Sequence, residues 1–132
     1  MQTGKATLTN YRQSPRKVRL LVDMVRGKEV GEALTALRFT PKRASLPIVK
    51  LIESALSNVR NAGAGNKDIF YITGIAVDKG VVLKRHMPRA RGRAFPIKKR
   101  SSHVTVTIEQ GEAKVKKTKT SKKLLTKTTK TS

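Results

Sequence analysis

The sequence predicts an α+β fold in which a short strand comes first, three helices follow, and a long two-stranded hairpin comes last. Three observations predict it. Apolar residues recur with the helical period of about 3.6 between residues 14 and 61. They recur with the strand period of two in residues 69–77 and 104–108. The stretch between those two segments is basic and has turn-forming residues near its midpoint, which indicates one antiparallel hairpin.

The first strand and the first helix have clear boundaries. Residues 5–11 alternate apolar and polar side chains, as a half-buried strand does. Ser14 can cap a helix, and Pro15 suits its first position because no backbone N–H is needed there. Gly27 is the expected stop. The apolar stripe of this helix consists of Val18, Leu21, Val22 and Val25.

Two more helices are predicted before a loop at residues 62–66. The second covers about residues 31–39. Thr40-Pro41 repeats the cap-and-proline pattern, so a third helix is expected to begin there. Pro47 removes one helical hydrogen bond, so we expect a bend there or a later start after Ser45. The two apolar stripes consist of Val30, Ala33, Leu34 and Leu37, and of Ile48, Leu51, Ile52, Ala55, Leu56 and Val59.

The hairpin is predicted to have a packed base and a bare outer part. In residues 69–77 the odd-numbered and even-numbered rows are both largely apolar, which predicts cover on part of each face. Val104, Val106 and Ile108 are expected to face the core. Pro88 and Gly92 are turn formers, so the tip is expected near residues 88–92.

Charge is the most informative property of the composition. The 132 residues include 30 Lys and Arg against 8 Asp and Glu, a formal net charge of +22. A compact domain with this charge repels itself, so its usual state is expected to include a polyanion, most commonly nucleic acid. Between residues 79 and 100 there is no acid, and the cations are Lys79, Lys84, Arg85, Arg89, Arg91, Arg93, Lys98, Lys99 and Arg100. We expect this ribbon, marginal by itself in water, to extend into an anionic surround.

Arginines near the tip predict phosphate recognition. Arg89, Arg91 and Arg93 recur at every second residue, which in an extended chain aims three guanidiniums to one side. Guanidinium forks suit phosphate oxygens better than lysine does. An ordinary solvated surface mixes both signs of charge, and this stretch does not.

Other classes of protein are disfavoured by what the sequence lacks. Without cysteine there are no disulfides, cysteine-bound zinc or thiol nucleophiles. The two histidines, His86 and His103, and the scattered acids are poor candidates for a set of metal ligands and offer no pair of a base and a nucleophile. We therefore expect neither enzymatic activity nor a bound metal or other cofactor. The sequence has neither a secretory signal nor an apolar run of about 18 residues, so a cytosolic or organellar protein without membrane contact is expected.

The chain is expected to divide into two parts. Residues 1–112 would form a single globular RNA-binding domain that includes a hairpin at about 78–103. Residues 113–132 contain eight lysines, many threonines and no acid, so we expect a tail that is disordered when free.

Several motifs make the chain similar to a known family. They are Ser14-Pro15-Arg16-Lys17 with Arg19, Arg26-Gly27-Lys28, Phe39-Thr40-Pro41-Lys42, Val77-Asp78-Lys79-Gly80, Leu83-Lys84-Arg85, Pro88-Arg89-Ala90-Arg91-Gly92-Arg93-Ala94, and Ile97-Lys98-Lys99-Arg100 with Ser102-His103-Val104-Thr105-Val106. On these motifs, residues 5–110 resemble the bacterial form of the L-twenty-two family of large-subunit ribosomal proteins.

The resemblance implies a fold, a function and a set of partners. The fold would be three helices packed on a small three-stranded antiparallel sheet with a long protruding β-hairpin. The protein would be a structural constituent of the large ribosomal subunit that binds 23S-type rRNA, supports assembly and lines the peptide exit tunnel with its hairpin. Its partners would be that rRNA, other large-subunit proteins and the nascent peptide, with no homo-oligomer.

The charge pattern and the resemblance together select the candidate site residues. The RNA-binding residues would be Arg12, Arg16, Lys17, Arg19, Lys84, Arg85, Arg89, Arg91, Arg93, Lys98, Lys99, Arg100 and His103. The tip of the hairpin in the exit tunnel would be Arg85, His86, Met87, Pro88, Arg89, Ala90, Arg91, Gly92 and Arg93. One alternative is a DNA-architectural protein that inserts a basic ribbon into the minor groove, with Pro88 as its wedge. A second is an RNA-processing enzyme that uses one of the histidines.

Overall fold

A computed structural model describes residues 3–63 and 69–111, which contain three helices and three strands. The helices are α1 (Pro15–Val25), α2 (Val30–Phe39) and α3 (Ser45–Asn61), and the strands are β1 (Thr3–Tyr11), β2 (Phe70–Pro88) and β3 (Ala94–Gln110). The strands form one antiparallel sheet in the order β1-β3-β2. The predicted α+β fold with its long hairpin is therefore confirmed. The predicted tail at 113–132 and most of the predicted loop at 62–66 lie outside the described residues.

The helices pack on one face of the sheet and enclose the core. The stripe of α1 is buried, and so are most residues in the stripes of α2 and α3, with Leu34 and Leu56 partly buried at the edge of the core. The predicted inward row of β3, Val104, Val106 and Ile108, has no exposed surface. None of the helices within the described ranges is long and apolar enough to cross a membrane.

Helix α3 begins later than the Thr40-Pro41 pattern predicts. The Thr40 hydroxyl donates to the carbonyl oxygen of Ala36 (2.8 Å), so it closes α2 instead of capping α3. The start at Thr40-Pro41 is therefore wrong, and the alternative that the helix begins at about Ser45 is confirmed. Pro47 then lies in the first turn, where its missing N–H would have had no helical acceptor.

Strand β2 exchanges its two faces at Thr73. Its buried residues are Phe70, Ile72, Ile75 and Val77, which switch from even to odd numbers. β2 advances from Ile72 to Gly74 while β3 advances by one residue, so Thr73 is the extra residue of a β-bulge. The buried members of the even-numbered and odd-numbered rows therefore lie on one face, because one extra residue moves every following side chain to the other face.

Two more bulges mark the place where the sheet becomes a free hairpin. β1 has an extra residue between Leu8 and Tyr11, where Asn10 has a positive φ of 54°. β2 has an extra residue between Lys79 and Val82. Both irregularities lie against residues 100–104 of β3, and β1 ends there. Residues 79–100, which continue from this junction as a two-stranded ribbon with its turn, are called the arm below.

Gly4 lies where α3 packs closest to β1. A Cβ atom at this position would collide with the Val59 side chain and lie 2.7 Å from the carbonyl oxygen of Ala55. We expect Gly4→Ala to lower the free energy of unfolding by about 1–3 kcal/mol, because helix backbone cannot move aside as a side chain can. In the control Gly31→Ala the nearest atom is 3.7 Å from the new Cβ, and stability should rise by about 0.5 kcal/mol. Urea unfolding that shows equal losses in both variants would contradict the close packing.

Candidate nucleic-acid interface

The arm has no core of its own. Every residue from 81 to 96 is exposed. Lys84 and Lys98 are direct cross-strand partners, and like charges opposite each other destabilise a ribbon. A two-stranded hairpin is at best marginally stable in water even without this repulsion. The arm therefore gains stability from any anion that binds along it.

The acids of the described residues lie elsewhere. Within residues 3–63 and 69–111, ion pairs join Asp23 to Arg26 (3.3 Å) and Glu53 to Arg38 (3.2 Å). Both pairs lie on the helices and are partly exposed. The positive charge of the arm is thus not balanced by these pairs.

Strand register divides the outer arm into two unlike faces. Cross-strand partners share a face. The face called apolar below carries the pairs Leu83–Lys99, Arg85–Ile97 and Met87–Phe95. The face called basic carries Val82–Arg100, Lys84–Lys98 and His86–Pro96. Four of six side chains on the first face are hydrocarbon or thioether, whereas the second face has three permanent cations and a histidine.

The tip of the arm is a tight turn. The Arg89 N–H donates to the carbonyl oxygen of Arg93 (2.8 Å), and Ala90–Gly92 form a single 3-10 turn. Arg91 has φ 60° and ψ 36°, so the chain here is not extended. The predicted tip near residues 88–92 is confirmed. The expectation that Arg89, Arg91 and Arg93 project to one side is wrong, because it assumed an extended chain.

Two recesses lie at the root of the arm. The large groove, of about 960 Å³, is bounded by the arm, the segment after β1 and the loop before α3. Its cations are Arg12, Lys17, Arg43, Arg85, Lys98, Lys99 and Arg100. The small recess, of about 390 Å³, adjoins the amino end of α1, and its cations are Arg16, Arg19, Lys79 and Arg100. Six of the thirteen predicted RNA-binding residues line the large groove, and Arg16 and Arg19 line the small recess, so that eight of them are gathered at the root of the arm.

The walls of the large groove are held by hydrogen bonds. The Tyr11 hydroxyl donates to Oε1 of Gln13 (2.7 Å) and lies 3.4 Å from the carbonyl oxygen of Arg43. Burial raises the pKa of Tyr11 above 10.0, and the nearby Arg43 guanidinium partly opposes that shift. On the arm, the Ser101 hydroxyl donates to the carbonyl oxygen of Val81 (2.7 Å) and holds the bulge.

The predicted RNA-binding residues Arg19 and His103 also contact other elements of the fold. The Arg19 guanidinium donates to the carbonyl oxygen of Val77 (2.8 Å), which ties α1 to the base of the arm. His103 accepts the Asn10 N–H at Nδ1 (3.1 Å), so that nitrogen carries no proton in this geometry. Each keeps other donors, because a guanidinium has five N–H groups and Nε2 of a neutral imidazole carries the remaining proton.

The remaining predicted residues lie farther out, and one groove residue was missed. Arg89, Arg91 and Arg93 are at or beside the turn, and Lys84 is on the basic face. Arg43 lines the large groove although the sequence analysis did not select it. The predicted helix start at Thr40-Pro41 placed Arg43 inside a helix. A prediction of a loop that ends at Ser45 would have indicated that Arg43 is available to the groove.

Ser102 lies buried at the junction, and its hydroxyl has no hydrogen-bond partner there. We expect Ser102→Ala to leave the free energy of unfolding unchanged or to raise it by about 1 kcal/mol, because an unsatisfied buried hydroxyl is costly. The matched variant Ser45→Ala removes a buried hydroxyl that donates to Thr40 (2.9 Å) and should cost about 1 kcal/mol. Chemical denaturation of both variants checks the pair; a large loss in Ser102→Ala would mean that its hydroxyl is bonded.

The fold and the charge of the protein define its class. It is a small α+β protein whose helices and sheet form a conventional core, and from which a coreless basic arm projects. This combination is typical of proteins that bind a polyanion along an extended element.

Comparisons with known proteins identify the family. The family model described as Ribosomal protein L22p/L17e matches residues 6–109. The chain is 51% identical over 107 residues to "Large ribosomal subunit protein uL22" of Syntrophotalea carbinolica, covering 81% of this chain and 97% of that protein. It is 52% identical over 105 residues to the protein of that name from Geobacter sulfurreducens, covering 80% and 95%. The chain belongs to the ribosomal protein L22p/L17e family, which confirms the predicted resemblance.

Proposed function

We propose that this protein is a structural constituent of the large ribosomal subunit that binds 23S-type rRNA and supports assembly of the subunit. The observation that carries the proposal is the arm, with nine cations, no acid and an exposed surface from residue 81 to 96. Its mechanism is neutralisation of backbone phosphates together with fitting of the arm between RNA elements. The relatives carry the name of a large-subunit ribosomal protein, which supports RNA over the DNA-architectural alternative.

The root and the tip of the arm have different tasks in this proposal. The RNA-binding cations at the root, among them Arg12, Lys17, Lys99 and Arg100, meet rRNA phosphates close to the globule. The tip, residues 85–93, lines the peptide exit tunnel, where its arginines contact rRNA phosphates of the tunnel wall and its exposed surface meets the nascent peptide. Other large-subunit proteins contact the globular part. The protein acts without catalysis or cofactor, in the cytoplasm or in an organelle with bacterial-type ribosomes. The division into a single domain over residues 1–112 and a basic tail over residues 113–132 belongs to the same proposal.

A photo-crosslinking experiment tests the position of the tip. A photoreactive amino acid replaces Met87, an exposed residue of the arm, in ribosomes that hold a stalled nascent peptide. We expect crosslinks to large-subunit rRNA and to the nascent peptide, because the tip lies in the tunnel. The matched substitution at Leu20, exposed on α1, should give no crosslink to the peptide. A peptide crosslink from Leu20 and none from Met87 would refute the assignment of the tip.

A further inference from the structure

The large groove contains hydrocarbon surface that phosphate binding does not require. Val81 and Leu83 line it, and they are 63% and 44% exposed. Phosphate oxygens need hydrogen-bond donors and positive charge, which the cations of the groove already supply. Exposed apolar side chains that are surrounded by polar ones instead suit a partner that has a flat apolar face as well as charge.

The size and the rim of the groove suit a nucleotide. Its volume of about 960 Å³ lies within the range of ~300–1,000 Å³ that is typical of sites for small ligands. Arg12 and Arg43 line it on the side of the globule, and Arg85 lines it on the side of the arm. Guanidinium groups can bind phosphates through their edges and can stack on a base through their planes.

Hydrogen bonds hold the end of the groove that lies nearest the globule. Tyr11 links the segment after β1 to the loop that carries Arg43. The Ser101–Val81 hydrogen bond holds the opposite wall at the bulge. Groups that are already held lose less conformational entropy on binding than mobile ones, which favours binding of a nucleotide at this end of the groove.

We propose that the large groove holds one unstacked nucleotide of single-stranded RNA, with its base against Val81 and Leu83 and its flanking phosphates at the surrounding arginines. This inference rests on the proposed RNA-binding function and adds to it the kind of RNA structure that is bound. Unpaired nucleotides in loops and bulges present a free base face, whereas a paired nucleotide in a helix does not. The root of the arm therefore selects an RNA loop or bulge over a continuous duplex.

The test compares two RNA hexamers that carry the same number of phosphates. One is a natural oligoadenylate, and the other has abasic ribose at every position. The full-length protein should bind the natural hexamer about tenfold more tightly, a factor that corresponds to about 1.4 kcal/mol. In Leu83→Ser the preference should fall below about threefold. In the control Leu20→Ser, the same change at an exposed position of α1, it should stay at about tenfold.

The outcomes separate this inference from the proposed function. Equal binding of the two hexamers by the unmodified protein, with affinity that falls steeply as salt rises, would overturn the nucleotide site and leave RNA binding intact. A preference that survives Leu83→Ser would likewise overturn it, because the base would then lie elsewhere. If neither the hexamers nor an rRNA fragment binds, the proposed function itself fails. If Leu83→Ser keeps its preference for bases but loses contacts to a neighbouring protein, the groove binds a protein partner. That result would also overturn the inference.

Discussion

Replacing Arg85, Arg89, Arg91 and Arg93 with glutamine is expected to weaken binding to a large-subunit rRNA fragment by roughly 10²–10³-fold near physiological salt. Each exposed contact between unit charges contributes on the order of 1 kcal/mol, and four are removed. Each phosphate contact also contributes about −0.7 to −0.9 to the slope of log affinity against log salt concentration. The slope should therefore become shallower by about 3. Fluorescence anisotropy at several salt concentrations measures both quantities.

A matched variant separates the arm from the overall charge. It removes an equal number of positive charges from exposed positions on the globule, by glutamine at Lys5, Lys28, Lys50 and Arg60. Its affinity should fall about tenfold or less, because those residues add only a general attraction for the polyanion. If the two quadruple variants lose affinity equally, net charge and not the arm is responsible for binding.

Truncation of Ile108 to alanine is expected to lower the free energy of unfolding by about 2–5 kcal/mol. Ile108 lies in the central strand β3, has no exposed surface and faces the helices. Removing its side chain leaves a cavity that packed neighbours can fill only in part. Loss of this size is a large share of the stability of a small domain, which is commonly about 5–15 kcal/mol.

The same truncation in the arm should have little effect on stability. Leu83 belongs to the hairpin as Ile108 does, but it is exposed and packs on no core. We expect Leu83→Ala to change the free energy of unfolding by less than about 0.5 kcal/mol. Thermal and urea unfolding of both variants in RNA-free protein measure the contrast. A loss of several kcal/mol in Leu83→Ala would show that the arm packs on the globule in solution.

Local patterns in the sequence were sufficient for the elements but not for every boundary. The stripe of α1 and the inward row of β3 follow the periods of a helix and a strand, and both are buried. The start of α3 was ambiguous because a threonine before a proline can begin a helix or can close the one before it. Only the contact of Thr40 with Ala36 decides between these roles. The bulge at Thr73 was not predicted for a similar reason, since it depends on how β2 is paired with β3.

The sequence predicted the basic composition of the candidate site but not its shape. A run of cations without acids is visible in the sequence, and it led to the residues of the arm. The gathering of Arg12, Lys17 and Arg43 at its root depends on where β1 ends and where the loop before α3 lies. The turn at Ala90–Gly92 likewise rotates three arginines that a simple alternation would align. Contacts between distant segments, which a linear pattern does not contain, account for both.

The extra residue between Lys79 and Val82 makes the number of residues at the root as important as their chemistry. Between the pairs Lys79–Ser102 and Val82–Arg100, β2 advances by three residues while β3 advances by two. Deleting Gly80 would preserve every charge of the arm and make the two advances equal, so the pairs beyond the bulge would be kept while the bend that the bulge adds would be lost. The length of this short segment thus sets the direction in which the arm leaves the sheet.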